Sequence, residues 1–317
     1  MSQPVKLVPV QIPKPWGQEI WYTGMEARGE SGVVCDGEQM PLSGYLQNNP
    51  SITAEHDLLL LKVLDPSPQP VLGDLYFEVH EEKREVYIVT HVDPTAWPDG
   101  TGKIRFGMAQ DMRQQYSDDD GFRAAYLSTV QAYEKIRRSI DDGVPGLEQA
   151  EQEARDEMEA FTDVFDLRVG DVVKVPTWTP HALQHGVRVV EFQTQTYERY
   201  IVSFAQKVLT QDHWDTEYAV AKMLLEKPAE PDFEQISPGV ERIARFDHFN
   251  VWRVNGAAAG KLNLPRTLPY VVLMALGTTE VGDLQLASEE ACLVPGAAIA
   301  DLHISSQGTL LLAAPNL

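Results

Sequence analysis

The sequence predicts a mainly β protein with two antiparallel barrels or sandwiches, a helical insertion in the first and a connecting helix between them. Three observations predict it. At 317 residues the chain is longer than one small core requires, since soluble domains hold roughly 100–200 residues each. Short β-type runs bounded by Pro and Gly fill residues 1–110 and recur from residue 163 to about 203 and again from His248. Between about 118 and 162 the apolar period changes to three or four residues.

In order along the chain, strands are expected over 7–12, 19–24, 58–64, 74–80, 86–92 and 103–108, because aliphatic, β-branched and aromatic runs separated by turn residues suit a pleated sheet. Phe122, Tyr126, Val130, Tyr133, Ile136 and Ile140 then mark one amphipathic helix, and Leu147, Ala150, Ala154, Met158 and Phe161 a second, with Asp142-Gly-Val-Pro-Gly between them. Strands follow at 164–169, 171–176 and 186–195. Phe204, Val208, Trp214, Tyr218 and Met223 predict a helix over about 204–227, ended by Lys227-Pro228 and followed by a polar linker. The last strands are expected at 248–254, 267–276, 291–296, 300–305 and 308–315. The predicted organisation is therefore a first barrel from 1–117 and 163–203, an insertion from 118–162, a helix and linker from 204–240, and a second barrel from 241–317.

Composition narrows the function. Lys and Arg number 26 against 47 Asp and Glu, a net charge of −21, which repels a phosphate backbone and makes nucleic acid a poor partner. A phosphorylated small molecule would need a local basic pocket. The apolar runs stop well short of the ~20 residues of a membrane span. The N-terminal segment shows no secretory signal pattern, so a cytoplasmic location is the expectation. Only Cys35 and Cys292 occur, which gives neither a disulfide framework nor a thiolate zinc site.

The sharpest local signal is Glu78-Val79-His80-Glu81-Glu82-Lys83-Arg84-Glu85. On a strand, Glu78 and His80 face the same way, and a tight turn at 81–83 would return Glu85 toward them. Downstream, Gly170-Asp-Val-Val-Lys-Val-Pro-Thr-Trp-Thr-Pro-His181 places a further imidazole after a strand and a turn. Taken alone, each piece reads as a solvated hairpin tip or an isolated histidine; together, two imidazoles and two carboxylates suit Zn²⁺, Fe²⁺ or Mn²⁺. His91 and His248 read as strand histidines without a site role, and His185 as a candidate pocket residue.

The spacing Glu78-x-His80-x₄-Glu85 after Gly73, followed by Gly170-x₅-Pro176-x-Trp178-x₂-His181, resembles the two cupin motifs. Cupins are small jelly-roll-like β barrels that hold a metal at those positions. Within them the chain is most similar to type I mannose-6-phosphate isomerase, which is a zinc enzyme. The likeness runs through Gly29-Glu30-Ser31, Leu60-Leu-Lys-Val-Leu64, Phe77-Glu-Val-His80, Lys83-Arg-Glu-Val-Tyr-Ile-Val89, Val175-Pro-Thr-Trp-Thr-Pro-His-Ala-Leu183, Val190-Glu-Phe-Gln193, Thr196-Tyr-Glu-Arg199, Leu293-Val-Pro-Gly296 and Leu311-Leu-Ala-Ala-Pro315. It implies two cupin barrels, metal ligands Glu78, His80, Glu85 and His181, and Lys83, Glu191 and Arg199 facing a sugar phosphate. The chemistry implied is proton transfer between C1 and C2 through an enediol, with the metal stabilising charge at the oxygens and Lys83 or Glu191 carrying the proton. A neighbouring cation would disfavour the ammonium form of Lys83.

Four departures stand out. Glu78 replaces the family's Gln, Tyr76 replaces a phosphate-holding Ser, Glu198 interrupts Thr-Tyr-Arg, and the stretch from His80 to Glu85 is far shorter. They suit an unphosphorylated sugar or polyol as an alternative substrate. A cupin oxygenase and a non-catalytic sugar-binding protein are the competing readings. Tyr76, Trp178 and His185 are the expected substrate contacts, with Trp16 and Trp21 as further stacking candidates. The second barrel has no such His/Glu set beyond His303 and is expected to be metal-free. The acidic insertion suits a lid or an oligomer contact, or simply a solvated face.

Overall fold

Strand alternation sorts the side chains onto two faces, and each face has its own partner. The computed structural model describes residues 3–209, 211–262 and 264–316. Its first barrel pairs two antiparallel sheets. One contains, in spatial order, Val172–Val175, Glu85–Val92, Val187–Gln193, Leu60–Pro66, Gly17–Trp21 and Val10–Lys14. The other contains Thr162–Leu167, Gly102–Met108, His181–Leu183, Phe77–Val79 and Tyr200–Ser203. A nine-stranded sheet and a three-stranded sheet, Leu284–Leu286, Thr279–Val281 and Ile304–Ser306, enclose the second core. The mainly β, two-barrel expectation is met.

In the six-stranded sheet, Leu61, Val63, Val86, Ile88, Val190 and Phe192 point away from the first barrel. They pack against Val251, Val272, Met274, Leu311 and Ala313 of the nine-stranded sheet. Each fully buried aliphatic or aromatic side chain there contributes roughly 1.5–3 kcal/mol, so the two barrels share a hydrophobic core. Tyr270 adds a polar tie. Its hydroxyl accepts from the Leu59 N–H at 2.9 Å and donates to the Asp57 carbonyl at 2.6 Å.

The structure moves the boundaries between the barrels. Val5–Val8 pairs with Ala291–Pro295, and Gly32–Cys35 and Glu38–Pro41 continue the same nine-stranded sheet. Parts of the 1–117 segment thus extend the second barrel, because Val5, Leu7 and Val33 bury their side chains in the shared core. At the other end, Glu234–Ser237 and Val240–Arg245 already belong to that sheet.

The insertion forms the helices Asp119–Asp141 and Glu148–Glu159. Asp118 caps the first by accepting from the Gly121 N–H, and Phe122, Tyr126, Val130 and Tyr133 form its buried stripe. It ends in a Schellman turn: Gly143, at φ +86°, donates to Ile140, and Val144 donates to Ser139. The expected helix over 204–227 shrinks to Thr216–Lys222. Phe204, Trp214 and Met223 are buried as expected, but Tyr218 is 40 % exposed. The cause is tertiary: the Asp215 N–H donates to the Ile201 carbonyl, its carboxylate accepts from the Ile201 N–H, and the Thr216 hydroxyl donates to the Val202 carbonyl. These bonds fasten the N-terminal end of the helix to strand Tyr200–Ser203 and set where it begins. Among the described residues no helix is long and apolar enough to cross a membrane.

Candidate metal centre

Inside the first barrel, register brings charged side chains into rows. Tyr87 lies opposite Glu191, Glu191 opposite Lys62, and Lys62 opposite Trp21; two residues to one side Glu85 faces Gln193, and two to the other Leu64 faces Glu19. All of these alternate with the apolar face described above, so they point into the barrel. From the facing sheet, Glu78 lies opposite His181.

Four side chains converge between the two sheets. One donor atom each from Glu78, His80 and His181 lies within 4.8 Å of the others. His80 Nε2 is 3.4 Å from Glu78 Oε1 and 3.3 Å from Glu85 Oε1, and His181 Nε2 is 2.8 Å from the same Glu85 oxygen. The His181 Nδ1–H donates to the Thr179 carbonyl at 2.9 Å, which leaves Nε2 as a lone-pair donor toward the cluster. His80 Nε2, His181 Nε2 and Glu78 Oε2 are buried with no hydrogen-bond partner among the described residues. Such orphaned donors are costly unless a further group satisfies them. Two imidazoles and two carboxylates therefore fit a divalent metal of the Zn²⁺, Fe²⁺ or Mn²⁺ type. Burial and the Lys83 ammonium push the His80 imidazole down, toward its neutral, metal-binding form. Burial works against ionisation of Glu85, but the Lys83 ammonium, 2.8 Å away, and the imidazoles hold its carboxyl well below the usual range.

Beside the cluster lies a cavity of about 340 Å³. Its wall carries five cationic side chains, Lys14, Arg28, Lys62, Lys83 and Arg199, with Glu19, Glu78, Glu191 and Glu198. The wall is therefore of mixed charge, with Lys14, Lys62 and Lys83 paired to Glu19, Glu191 and Glu85. Arg199 lies 4.4 Å over the Tyr76 ring. Burial raises Tyr76 to about 12, so it stays a phenol. Glu191 is 1 % exposed. Burial and the Glu85 carboxylate push its carboxyl well above the usual range, against the opposing pull of Lys62 at 3.2 Å.

Of the expected site residues, Glu78, His80, Glu85 and His181 come together, and Lys83, Glu191, Arg199 and Tyr76 line the adjoining cavity with Trp16 and Trp21. Trp178 and His185 do not line it. Trp178 stacks on Tyr200 at 6.0 Å. His185 stacks on Trp97 at 4.7 Å and bonds Asp74 through Nδ1 at 2.7 Å. Both sit where strand ends turn away from the cavity, a direction that spacing along the chain does not encode.

Sequence reading missed Lys14, Glu19, Arg28, Lys62, Tyr197 and Glu198. Lys62 carried a readable signal: a lone lysine in Leu-Leu-Leu-Leu-Lys-Val-Leu is buried only if paired. It is paired, to Glu191 and, at 3.7 Å, to Glu19, which also meets Lys14 at 3.0 Å and the Trp21 indole at 2.6 Å. Burial alone would raise Glu19, yet Lys62, Lys14 and Trp21 bring it down to about 2 from an ordinary 4.5. A group lowered on folding stabilises fully above its unfolded value and loses that contribution as pH falls through its folded one. Between about pH 4.5 and 2, wild-type stability is therefore expected to fall, with Glu19 contributing on the order of 3 kcal/mol. Urea unfolding across this range, with Glu19→Gln as control, checks it; the variant should show a shallower fall.

No protein-family model matches the chain, and no curated protein sequence does. Solved structures do match. A mannose 6-phosphate isomerase from Bacillus subtilis is 16 % identical at a TM-score of 0.70 over 99 % of both chains. A variant of phosphomannose isomerase from Salmonella typhimurium is 16 % identical at a TM-score of 0.70 over 100 % of both. A mannose 6-phosphate isomerase bound with zinc and yttrium is 14 % identical at 0.72, again over 100 % of both. From end to end, the chain has the cupin fold of the phosphomannose isomerases.

Proposed function

We propose that the chain is a metal-dependent aldose–ketose isomerase acting on a hexose phosphate, with mannose 6-phosphate and fructose 6-phosphate as the first pair to test. The observation that carries this reading is that the Glu/His/His cluster borders, through Glu78, a cavity whose wall holds a buried carboxyl with a raised pKa and five cationic side chains among four carboxylates. Solved structures of the same fold, two of them zinc-bound, support it.

Glu78, His80, Glu85 and His181 would hold the metal, which when bound supplies Lewis-acid stabilisation of charge developing on the sugar oxygens. The remaining work falls to the chain. Glu191 moves the proton between C1 and C2, because a general base works best with a pKa near the operating pH and burial shifts Glu191 toward it. Lys62, kept as an ammonium by Glu19, Glu191 and Glu85 against the cost of burial, orients Glu191. Lys14, Arg28 and Arg199 attract the phosphate, and the Tyr76 phenol stands where the resembled family has a serine. Zinc is the preferred ion, with iron and manganese compatible with the donor set.

Proton NMR of mannose 6-phosphate in deuterated water, with zinc-loaded protein beside a chelated control, tests this. Chelator-sensitive formation of fructose 6-phosphate is expected. No conversion by protein shown to hold zinc would overturn the phosphosugar assignment, and mannose in a parallel tube would show whether the phosphate is what the cavity rejects.

A further inference from the structure

Two departures from the resembled family, the shortened turn after His80 and the extra Glu198, meet in space. The turn 81–84 joins two candidate metal ligands, His80 and Glu85, in four residues and carries Lys83. So short a connection leaves its backbone donors without a ladder, and each must find a partner or cost free energy. The Glu198 carboxylate accepts from three of them in succession, Glu81 N–H at 2.6 Å, Glu82 N–H at 2.8 Å and Lys83 N–H at 3.3 Å. Consecutive N–H groups turned toward one anion form a nest, and charge-assisted bonds of this kind are the stronger ones.

The rest of the turn is fastened as well. The His80 carbonyl accepts from Trp178 at 2.7 Å, Arg84 exchanges bonds with Thr194, and the Glu81 carboxylate accepts from Tyr218 at 2.9 Å. Within the turn the Arg84 guanidinium donates to the Glu82 carbonyl at 2.6 Å; of the ties named here from outside it, Glu198 is the one that binds the backbone N–H groups of its middle.

We propose that Glu198 is a positioning residue that holds the turn so that His80, Lys83 and Glu85 keep their mutual geometry. The proposal rests on the metal-site reading and not on the identity of the sugar. A glutamine has the same length, but its amide presents one acceptor oxygen and an NH₂ that opposes the backbone donors. Glu198→Gln is therefore expected to speed hydrogen exchange of the 81–83 amides at least ~10-fold and to weaken zinc binding by calorimetry ~10–100-fold, the range seen when a partner of a metal ligand is lost. Exchange elsewhere and the circular dichroism spectrum should stay unchanged. In any isomerase assay that works, kcat should fall more than KM rises.

If Glu198→Gln does not fold, Glu198→Asp, which keeps the carboxylate but shortens its reach, replaces it with the same two readouts. Unchanged exchange at 81–83, or faster exchange with zinc affinity within twofold of wild type, would overturn the proposal. Failure of wild-type turnover with these zinc and exchange results intact would instead count against the isomerase reading alone.

Discussion

His181→Ala is expected to remove zinc binding and turnover together. The imidazole is 2 % exposed, its Nδ1 is engaged by the Thr179 carbonyl, and Nε2 has no hydrogen-bond partner among the described residues while lying 2.8 Å from Glu85. Loss of a partner behind a ligand already costs 10–100-fold in metal affinity, so loss of the ligand itself should exceed ~100-fold. The same substitution leaves the Glu85 carboxylate beside Lys83, an ion pair that keeps the charge compensated. The fold should therefore survive, since the shared core between the barrels does not involve His181. Calorimetric zinc titration, circular dichroism and the NMR assay together check this. Retained zinc and full turnover would remove His181 from the site.

Glu191→Gln should act differently. Its shape is preserved, and Lys62 keeps Glu19 as a partner, so zinc affinity and KM should change by no more than severalfold. The proton carrier is gone, however, and general acid–base catalysis contributes typically 10²–10⁴-fold. A fall in kcat of that size, with loss of solvent deuterium incorporation into the product, is the expected result. Lys83 is the competing carrier. It lies in the same cavity, paired to Glu85 at 2.8 Å and to Glu78 at 4.0 Å. If Glu191→Gln turns over normally while Lys83→Gln does not, the proton role passes to Lys83.

The two substitutions probe parts of the site that differ in how readable they were. Glu78, His80 and Glu85 were legible because their spacing is local: a strand's alternation puts Glu78 and His80 on one face, and a four-residue turn can bring Glu85 back beside them, whereas His181, far downstream, reaches them only through strand pairing. The helical insertion was legible for a like reason, since Phe122, Tyr126, Val130 and Tyr133 repeat with the helical period and are the residues buried. The strands around Lys62 and Glu191 were also visible as strands. What alternation could not supply was which face met water, which met the second barrel and which lined a cavity.

Those choices belong to partners far away in the chain. Lys62, Glu191 and Glu19 become neighbours on one inward face only because three strands pair in a particular register. Val5–Val8 joins the second barrel because Ala291–Pro295 offers it an edge. The helix expected over 204–227 begins only at Thr216, where its first residues are bonded to strand Tyr200–Ser203. Glu198, which reads in the sequence as an interruption of a motif, closes a turn 115–117 residues earlier. By itself, then, the sequence determined the β class, the insertion and the Glu78-x-His80-x₄-Glu85 spacing, all of which depend on periodicity and spacing within a few residues. The tertiary structure alone decided the barrel boundaries, the charged cavity and the contact of Glu198 with the turn that carries Lys83. These depend on sheet register and burial, where the cost of leaving a charge or an N–H unpaired is settled between residues distant in sequence.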